Sequence, residues 1–175
     1  MARFPLVSLW KGAFIMAKEK LKRLFQIGIV VPDAVTAAKN FCALFALDEA
    51  AINIIDTKEA GAAPIRVHGQ EMVAYSILAM VNVAGVQFEF VQPNGGGMSS
   101  QQEFLDNFGA GIQHICIDVA NYDEMMESME KMGGEILSAG GEGAYSYRYM
   151  DMRQSMGMVF EVYNDGLRDT MMAEK

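Results

Sequence analysis

The residues best suited to chemistry in this chain are four polar side chains that interrupt apolar segments: Gln26, Glu89, His114 and Glu161. His114 is one of only two histidines, and each glutamate stands between large apolar residues. A carboxylate in the middle of such a strand is costly unless it is paired, hydrogen-bonded or bound to a metal. The four side chains together offer three oxygen donors and one nitrogen donor. This set suits a divalent metal with open coordination positions.

The segment around His114 shows how a strand would present such side chains. Residues 111–126 read GIQHICIDVANYDEMM, and alternation puts His114, Cys116 and Asp118 on one face. The opposite face carries isoleucine and valine, which can pack under a helix. The alternative is a half-buried strand whose polar face lies in water. The repeat in the chain favours an enclosed site over that alternative.

An internal repeat places the four residues in equivalent positions. The segment QIGIVVPD matches HICIDVAN, so Gln26 falls where His114 falls. The segment QFEFV matches VFEVY, so Glu89 falls where Glu161 falls. Each half of the chain is predicted to form a βαβββ module, and the fold class is α+β. Both glutamates are then expected to point into whatever the two sheets enclose.

Local signals position the helix and the last turn of the first half. Asp33 follows the first strand and is predicted to cap a helix over AVTAAKNFCALFAL. Ala84–Gly85 is the predicted tight turn between the last two strands. The apolar residues that recur at helical spacing are Val35, Ala38, Phe41, Cys42 and Phe45.

The second half has its own helix signals. Asn121, with Glu124 three residues on, is predicted to cap a helix that ends at Gly133–Gly134. Its inward face would carry three methionines, which fill a core far more often than they bind a ligand. They are Met125, Met129 and Met132.

The segment PNGGGMSS has the composition of a flexible connection, so the linker between the modules is placed there. Met16 offers an alternative start, and residues 1–15 are interpreted as an extension without a role in the fold. The predicted organisation is an N-terminal extension (1–23), a first module (24–93), a linker (94–110), a second module (111–164) and a C-terminal tail (165–175).

Composition narrows the classes of partner. The chain carries 22 acidic and 14 basic residues, a net charge of −8, which argues against nucleic acid or an anionic membrane surface. No apolar run reaches the ~18 residues that suggest a membrane span. The two cysteines, Cys42 and Cys116, do not form a disulfide framework, and buried reduced thiols are typical of a cytoplasmic protein. The expected partner is a small molecule.

These strands and their spacing resemble the vicinal oxygen chelate superfamily, over about residues 24–164. Members of that superfamily pair βαβββ modules around a metal in a curved, half-open barrel. The resemblance therefore implies this fold and a divalent metal, with cobalt, zinc, manganese and nickel as alternatives. The ligands it implies are Gln26, Glu89, His114 and Glu161.

Within the superfamily the chain is most similar to the methylmalonyl-CoA epimerase branch. FEFVQP resembles a strand in which a Gln or Glu ligand lies four residues before a proline, here Glu89 and Pro93. EFLDNFGAGIQHICIDV resembles that branch's helix, glycine-containing turn and HHI strand. His114 takes the second histidine's place, and Gln113 replaces the first. VFEVYND resembles the final strand, whose glutamate, here Glu161, is a ligand and base.

The chain also departs from the branch. Gln26 stands where the epimerases have a histidine ligand, whereas glyoxalase I enzymes of the animal type have glutamine there. The positions that hold glutathione in those enzymes fall here on Val30 and Pro93, which disfavours glutathione as a co-substrate. The branch's HP pair before the last strand is replaced by Asp151–Met152. Extradiol dioxygenases share the fold but hold iron with two histidines and one carboxylate. That activity is disfavoured here, because His114 is the one histidine at the ligand positions. His68, in RVHGQE, is predicted to be a surface loop residue.

The function that the resemblance implies is epimerisation or racemisation. A proton leaves a carbon α to a carbonyl, and the resulting enolate is stabilised by the metal. Glu161 is the expected base, and Glu89 lies where a group acting on the opposite side of the metal is needed. The identity of the second base stays open among Glu89, Glu71 and Tyr75.

Several substrates and activities stay open. Methylmalonyl-CoA is the default of the branch, so an acyl-CoA is one expected substrate. Tyr145, Tyr147 and Tyr149 alternate onto one strand face and could form a wall for an aromatic ketone, such as an isoflavanone of the dihydrodaidzein type. A glyoxalase I-like lyase and a metal-free small-molecule binding protein are further alternatives. Homodimers are common in this fold, and the sequence does not decide the oligomeric state.

Overall fold

The computed structural model describes residues 20–142 and 145–164. The predicted extension over residues 1–15 and the tail over residues 165–175 lie outside these ranges. The first half comprises β1 (Leu21–Val30), α1 (Ala34–Leu44), β2 (Asn53–Asp56), β3 (Ile65–Val67), β4 (Gln70–Met72), β5 (Ala74–Val83) and β6 (Val86–Gly96). The second half comprises α2 (Ser100–Phe108), β7 (Gly111–Val119), α3 (Tyr122–Lys131), β8 (Glu135–Glu142), β9 (Tyr145–Asp151), α4 (Arg153–Met156) and β10 (Val159–Tyr163).

All ten described strands form one mixed sheet in the order β2-β5-β6-β1-β7-β10-β9-β8-β3-β4. The first strands of the two modules, β1 and β7, pair antiparallel at its centre. On either side the last strand of each module runs parallel to the first, β6 beside β1 and β10 beside β7. This arrangement confirms the α+β fold and the two βαβββ modules, and the sheet curls into a half-barrel.

The first module contains a hairpin that the sequence did not indicate. The segment EMVAYSILAMVNV is not one continuous strand, because it breaks at Val73, between β4 and β5. β3 and β4 leave their own module and extend the sheet beside β8 of the second module. Val73 then returns the chain to β5, near the opposite edge of the sheet. Its carbonyl accepts a hydrogen bond of 2.7 Å from the Gly97 amide, which ties the end of β4 to the end of β6.

The helix caps are those that the sequence predicts. The Asp33 side chain accepts a hydrogen bond from the Thr36 amide at the start of α1. The Asn121 side chain accepts one from the Glu124 amide at the start of α3. The Ala84–Gly85 turn is also present, and both residues have positive φ, 51° and 82°. These local hydrogen bonds satisfy helix-end amides that otherwise lack partners.

Each helix buries one face against its own module. Ala34, Ala38 and Cys42 of α1 pack against residues of β5 and β6, and both cysteines of the chain are free and buried. One side chain of this helix segment, Phe45, differs from the prediction. Phe45 is the C-cap of α1 and is 57% exposed, because the helix ends at Leu44.

In α3 the buried methionines are Met126 and Met129, with Met125 partly buried beside them. The predicted inward position of Met132 is wrong, since it is 48% exposed. The physical reason is that α3 ends at Lys131, so Met132 caps the helix and no longer follows its apolar face.

The segment predicted as the linker, residues 94–110, contains regular structure. β6 runs to Gly96, and α2 begins behind Ser99, whose side chain accepts a hydrogen bond from the Gln102 amide. Gly109 ends this helix with a φ of 77°. In the described part of the chain, no helix is both long enough and apolar enough to cross a membrane.

The turn at Ala84 generates a stability prediction. A left-handed backbone conformation costs an ordinary L-residue roughly 1–2 kcal/mol, and Asn tolerates it better. Asn-Gly is also the preferred pair for a two-residue hairpin turn. Ala84→Asn should therefore raise the free energy of unfolding in urea by about 1 kcal/mol. Ala60→Asn is the control, because Ala60 is an exposed turn residue without positive φ. An equal gain there would contradict the conformational explanation.

Candidate active site

A cavity of about 520 Å³ opens between the two modules. Its wall includes Gln26 of β1, Glu89 of β6 and Glu161 of β10. His114 of β7 is buried beside them, with its Nε2 atom 3.4 Å from Glu161 Oε2 and 3.9 Å from Glu89 Oε2. The structure thus brings the four residues predicted from the repeat into one place. All four are buried, and Glu89 is the most exposed of them at 8%.

Two β-bulges set the direction of the side chains at the centre of the sheet. In the pairing of β1 with β7, Phe25 is an extra residue directly before Gln26, and Gln113 is an extra residue directly before His114. A bulge puts two neighbouring residues against one on the partner strand and re-aims a side chain. The bulges occur at repeat-equivalent places. Simple alternation missed them, so the burial of both Gln113 and His114 was not expected.

Gly28 makes room for the imidazole. It lies directly across from His114 in the β1–β7 pairing. A Cβ atom on Gly28 would be 1.8 Å from His114 Cε1, far inside van der Waals contact. The ring of Tyr149 meets the imidazole edge-to-face, with centroids 4.8 Å apart and an interplanar angle of 88°. The imidazole position therefore depends on a missing side chain as well as on an aromatic neighbour.

Three polar atoms at this place are buried and have no hydrogen-bond partner: Gln26 Oε1, His114 Nε2 and Glu161 Oε2. Unpartnered buried polar atoms are rare in native proteins, and one explanation for them is an ion. The described residues contain no group of three His, Cys, Asp or Glu side chains already arranged around a common centre. The donor chemistry nevertheless fits a divalent cation. Two ligands of one such ion lie roughly 3–3.5 Å apart, close to the 3.4 Å between His114 Nε2 and Glu161 Oε2.

Burial changes the proton affinity of the site. The pKa of Glu89 is raised to about 7, first by burial and then by the neighbouring Glu161 carboxylate. His114 and a hydrogen bond from Gln26 act in the opposite direction. Burial likewise raises the pKa of the Cys116 thiol well above its usual value, so the thiol stays protonated. Glu89 is consequently a group that can gain and lose a proton near neutral pH.

Aromatic side chains form one wall of the cavity. Tyr147 and Tyr149 of β9 line it, as does Tyr163 of β10, and the ring centroids of Tyr147 lie 5.7 Å from Tyr149 and 6.5 Å from Tyr163. Burial raises the pKa of all three phenols, so they remain neutral hydrogen-bond donors. Tyr163 was missed from the sequence, although it lies two residues after Glu161 and so on the same strand face. The side chain of Tyr145 lies outside the described set.

The charge of the cavity is entirely negative. Among the described residues that line it, the only charged types are Glu89 and Glu161, and none is lysine or arginine. The remaining polar groups are hydroxyls and amides, for example Asn53 and Gln87. The described part of the wall therefore offers hydrogen bonds but no cationic side chain for an anionic substrate group.

Other residues singled out in the sequence lie elsewhere. Glu71 of β4 is exposed and pairs with Arg66 at 3.8 Å. Tyr75 packs against Lys58, 5.8 Å from the ring centroid, and neither Glu71 nor Tyr75 lines the described cavity wall. His68 lies in an exposed turn, as predicted, with its Nε2 atom 2.9 Å from Glu103.

The contact at Gly28 can be tested by stability. Gly28→Ala places a methyl group where the buried imidazole lies, and overpacking of this kind costs about 1–3 kcal/mol. Gly111→Ala on β7 is the matched control, because its new Cβ would meet only Phe104 atoms at 3.8 and 3.9 Å. Urea unfolding should show the loss in the first variant alone. Equal stability of the two variants would mean that the site yields without cost.

Comparisons with known proteins agree with this architecture. A methylmalonyl-CoA epimerase from Mycobacterium tuberculosis superposes with a TM-score of 0.58 at 17% identity, covering 90% of this chain and 97% of the epimerase. The Streptomyces coelicolor epimerase in complex with 2-nitronate-propionyl-CoA gives 0.57 at 16% identity, covering 83% and 99%. A hypothetical protein from Bacillus halodurans gives 0.55 at 16%, covering 82% and 94%. At these identities the likeness concerns the fold alone.

The sequence itself identifies the family. No curated protein sequence matches the chain. The family model for the glyoxalase/bleomycin resistance protein/dioxygenase superfamily matches residues 25–150, which is well over half of the 175 residues. This match and the structural neighbours confirm the resemblance to the vicinal oxygen chelate superfamily. The chain belongs to the glyoxalase/bleomycin resistance protein/dioxygenase superfamily.

Proposed function

We propose that this protein is an isomerase, an epimerase or racemase that moves a proton at a carbon α to a carbonyl. The observation that carries the proposal is the pair of buried carboxylates, Glu89 and Glu161, beside one imidazole nitrogen of His114 at the wall of a cavity. Inversion at a carbon requires a proton to be taken from one face and returned to the other. Two carboxylates on repeat-related strands of different modules suit these two roles.

The two glutamates differ in their surroundings. Glu161 Oε2 is buried without a hydrogen-bond partner, so no N–H or O–H group of the described residues donates to that atom. We assign it the role of base. Glu89 belongs to β6 of the other module, and its Oε2 atom lies 3.9 Å from the same imidazole nitrogen, His114 Nε2. We therefore assign Glu89 as the second proton-transferring group.

We further propose that Gln26, Glu89, His114 and Glu161 hold a divalent metal. Cobalt, zinc, manganese and nickel all accept such a mixed nitrogen and oxygen set. When bound, the metal would supply Lewis-acid stabilisation of the negative charge that develops on the substrate carbonyl oxygen. The protein's own contribution is a set of buried polar side chains, whose burial strengthens their electrostatic interactions with that charge.

The structural neighbours suggest an acyl-CoA as the first substrate class. One methylmalonyl-CoA epimerase structure holds methylmalonyl-CoA, and another holds 2-nitronate-propionyl-CoA. By analogy of fold, a thioester whose α-carbon carries the mobile proton would be the substrate here. Free, buried cysteines suit a reducing compartment, so we place the reaction in the cytoplasm.

A second candidate is racemisation of an uncharged aromatic ketone such as an isoflavanone. The cavity observation that favours it is the wall of Tyr147, Tyr149 and Tyr163 together with the lack of lysine and arginine among the described lining residues. Aromatic rings stack on tyrosines, and phenol hydroxyls donate hydrogen bonds to a ketone or hydroxyl. The free carboxylate of methylmalonyl-CoA would find no cationic side chain on this wall.

The deciding experiment is proton exchange in D₂O followed by NMR. The panel comprises methylmalonyl-CoA, a racemic isoflavanone and the hemithioacetal of methylglyoxal with glutathione, each with added metal and with EDTA. Loss of an α-proton signal from one compound would establish proton transfer and identify the substrate class. Binding of a compound without exchange would overturn the enzyme proposal in favour of a binding protein.

Glu161→Gln keeps the size of the side chain but removes the proposed base. General base catalysis is worth about 10²–10⁴-fold, so the exchange rate of the active substrate should fall by that factor. Glu135→Gln on β8 is the matched control, because Glu135 is exposed and lies outside the cavity. Its exchange rate should equal that of the unmodified protein. A Glu161→Gln variant with full activity would exclude Glu161 as the base.

Metal binding is tested by calorimetric titration of the metal-free protein with Co²⁺, Zn²⁺ or Mn²⁺. We expect one site per chain, lost in His114→Asn because the only nitrogen donor of the set is removed. His68→Asn is the control, since His68 lies in the exposed turn of the β3–β4 hairpin. Unchanged binding in His114→Asn, or loss in both variants, would contradict this location.

A further inference from the structure

We propose that Gln113 is a positioning residue that fixes the tautomer and the orientation of His114. The inference deepens the proposed function, because a histidine can serve as a metal ligand only through an unprotonated ring nitrogen. It rests on hydrogen bonds between described, buried residues. Gln113 is 6% exposed and does not itself face Glu89 or Glu161 through any described hydrogen bond.

The orientation of the Gln113 amide follows from its partner on α2. The Gln113 side chain is 3.0 Å from the backbone carbonyl oxygen of Ser100. A carbonyl oxygen can only accept, so the group that faces it must be the NH₂ of Gln113. The amide oxygen of Gln113 is then directed to the other side. There it lies 2.9 Å from His114 Nδ1.

The tautomer of His114 follows from the same reasoning. Because the Gln113 oxygen can only accept, His114 Nδ1 must carry the proton and donate it. In the neutral imidazole this leaves a lone pair on Nε2. That atom is buried, has no hydrogen-bond partner and lies beside Glu161 and Glu89. The ligand nitrogen is thus presented to the carboxylates as an acceptor.

Without Gln113 the preference would reverse. A proton on Nε2 could be donated to the nearby Glu161 carboxylate, and a hydrogen bond to a charged group is stronger than one between neutral groups. That tautomer would leave Nε2 unable to bind a metal. Gln113 opposes it by giving Nδ1 a fixed acceptor, which is how partners of ligating histidines commonly act.

The bulge in β7 makes this contact geometrically feasible. In a regular strand Gln113 and His114 would point to opposite faces. Here Gln113 is the extra residue opposite the Gly28–Ile29 step of β1, and its side chain reaches that of its neighbour. Gly28 on one side and Tyr149 on the other hold the ring itself. The bulge therefore allows the side-chain contact between Gln113 and His114, which regular strand pairing would prevent.

The tautomer can be measured on the metal-free protein. Long-range ¹H–¹⁵N NMR spectra distinguish the Nδ1–H form, the Nε2–H form and the doubly protonated ring from one another. The chain has only two histidines, so a His68→Asn variant assigns the signals of His114. We expect the Nδ1–H form in the unmodified protein, the Nε2–H form in Gln113→Leu, and a return to Nδ1–H in Gln113→Glu, which restores an acceptor.

Metal affinity is the second readout. Loss of such a partner typically weakens metal binding about 10–100-fold, so Gln113→Leu should raise the calorimetric Kd of Co²⁺ by that factor. Gln113→Glu should recover most of the affinity. Gln102→Leu is the control, because Gln102 is a glutamine of α2 that donates a hydrogen bond to Asp106 and does not line the cavity.

An Nε2–H tautomer in the unmodified protein would overturn the proposal, and so would a Gln113→Leu variant with unchanged tautomer and Kd. The tautomer of the unmodified protein decides the point even if Gln113→Leu does not fold. The two proposals fail separately. An unmodified protein that takes up no metal contradicts the proposed metal site, whereas its NMR spectrum still tests the role of Gln113.

Discussion

The arrangement of this molecule depends on the burial of two carboxylates next to one imidazole. Glu89 and Glu161 share a buried site, and the Glu161 carboxylate makes the negative charge of Glu89 more costly. A fold tolerates such a pair only when a proton, a cation or a set of donors offsets that cost. His114 Nε2 lies within 3.9 Å of both carboxylates and donates to neither by a described hydrogen bond. The negative charge of the two carboxylates is therefore not fully offset by the described residues. A proton or a cation would be stabilised at this site, and the proposed chemistry uses this property.

The central strand pair, β1 and β7, brings Gln26 and His114 to this site through departures from regular strand pairing. Each of its two site residues, Gln26 and His114, follows directly on a bulge. Gly28 leaves the space in which the imidazole lies. The side-chain amides of two further residues hold Gln26 and His114 in place. The Gln26 NH₂ donates a hydrogen bond of 2.7 Å to Gln87, and the Gln113 side chain links His114 to α2. Such support leaves the side chains of Gln26 and His114 with little freedom to turn.

The fold and the wall of the cavity favour different classes of substrate. The structural neighbours include epimerases of an acyl-CoA, whose substrate carries a carboxylate. Here the described wall offers tyrosines, amides and hydroxyls, with no basic residue. Binding specificity follows from such wall groups and not from the fold. The β3–β4 hairpin extends the sheet of the other module, and its residue Ile65 also lines this cavity.

The sequence by itself determined the duplicated βαβββ plan, the helix caps and the four polar positions, because repeats, capping residues and strand alternation are local patterns. It located Gln26, Glu89, His114 and Glu161 for the same reason. Only the tertiary structure decided two features: the pairing of the β3–β4 hairpin with the second module, and the bulges at the centre of the sheet. These depend on pairing between strands distant in the chain, and the alternation within a single strand does not mark the place where a bulge inserts an extra residue into that pairing.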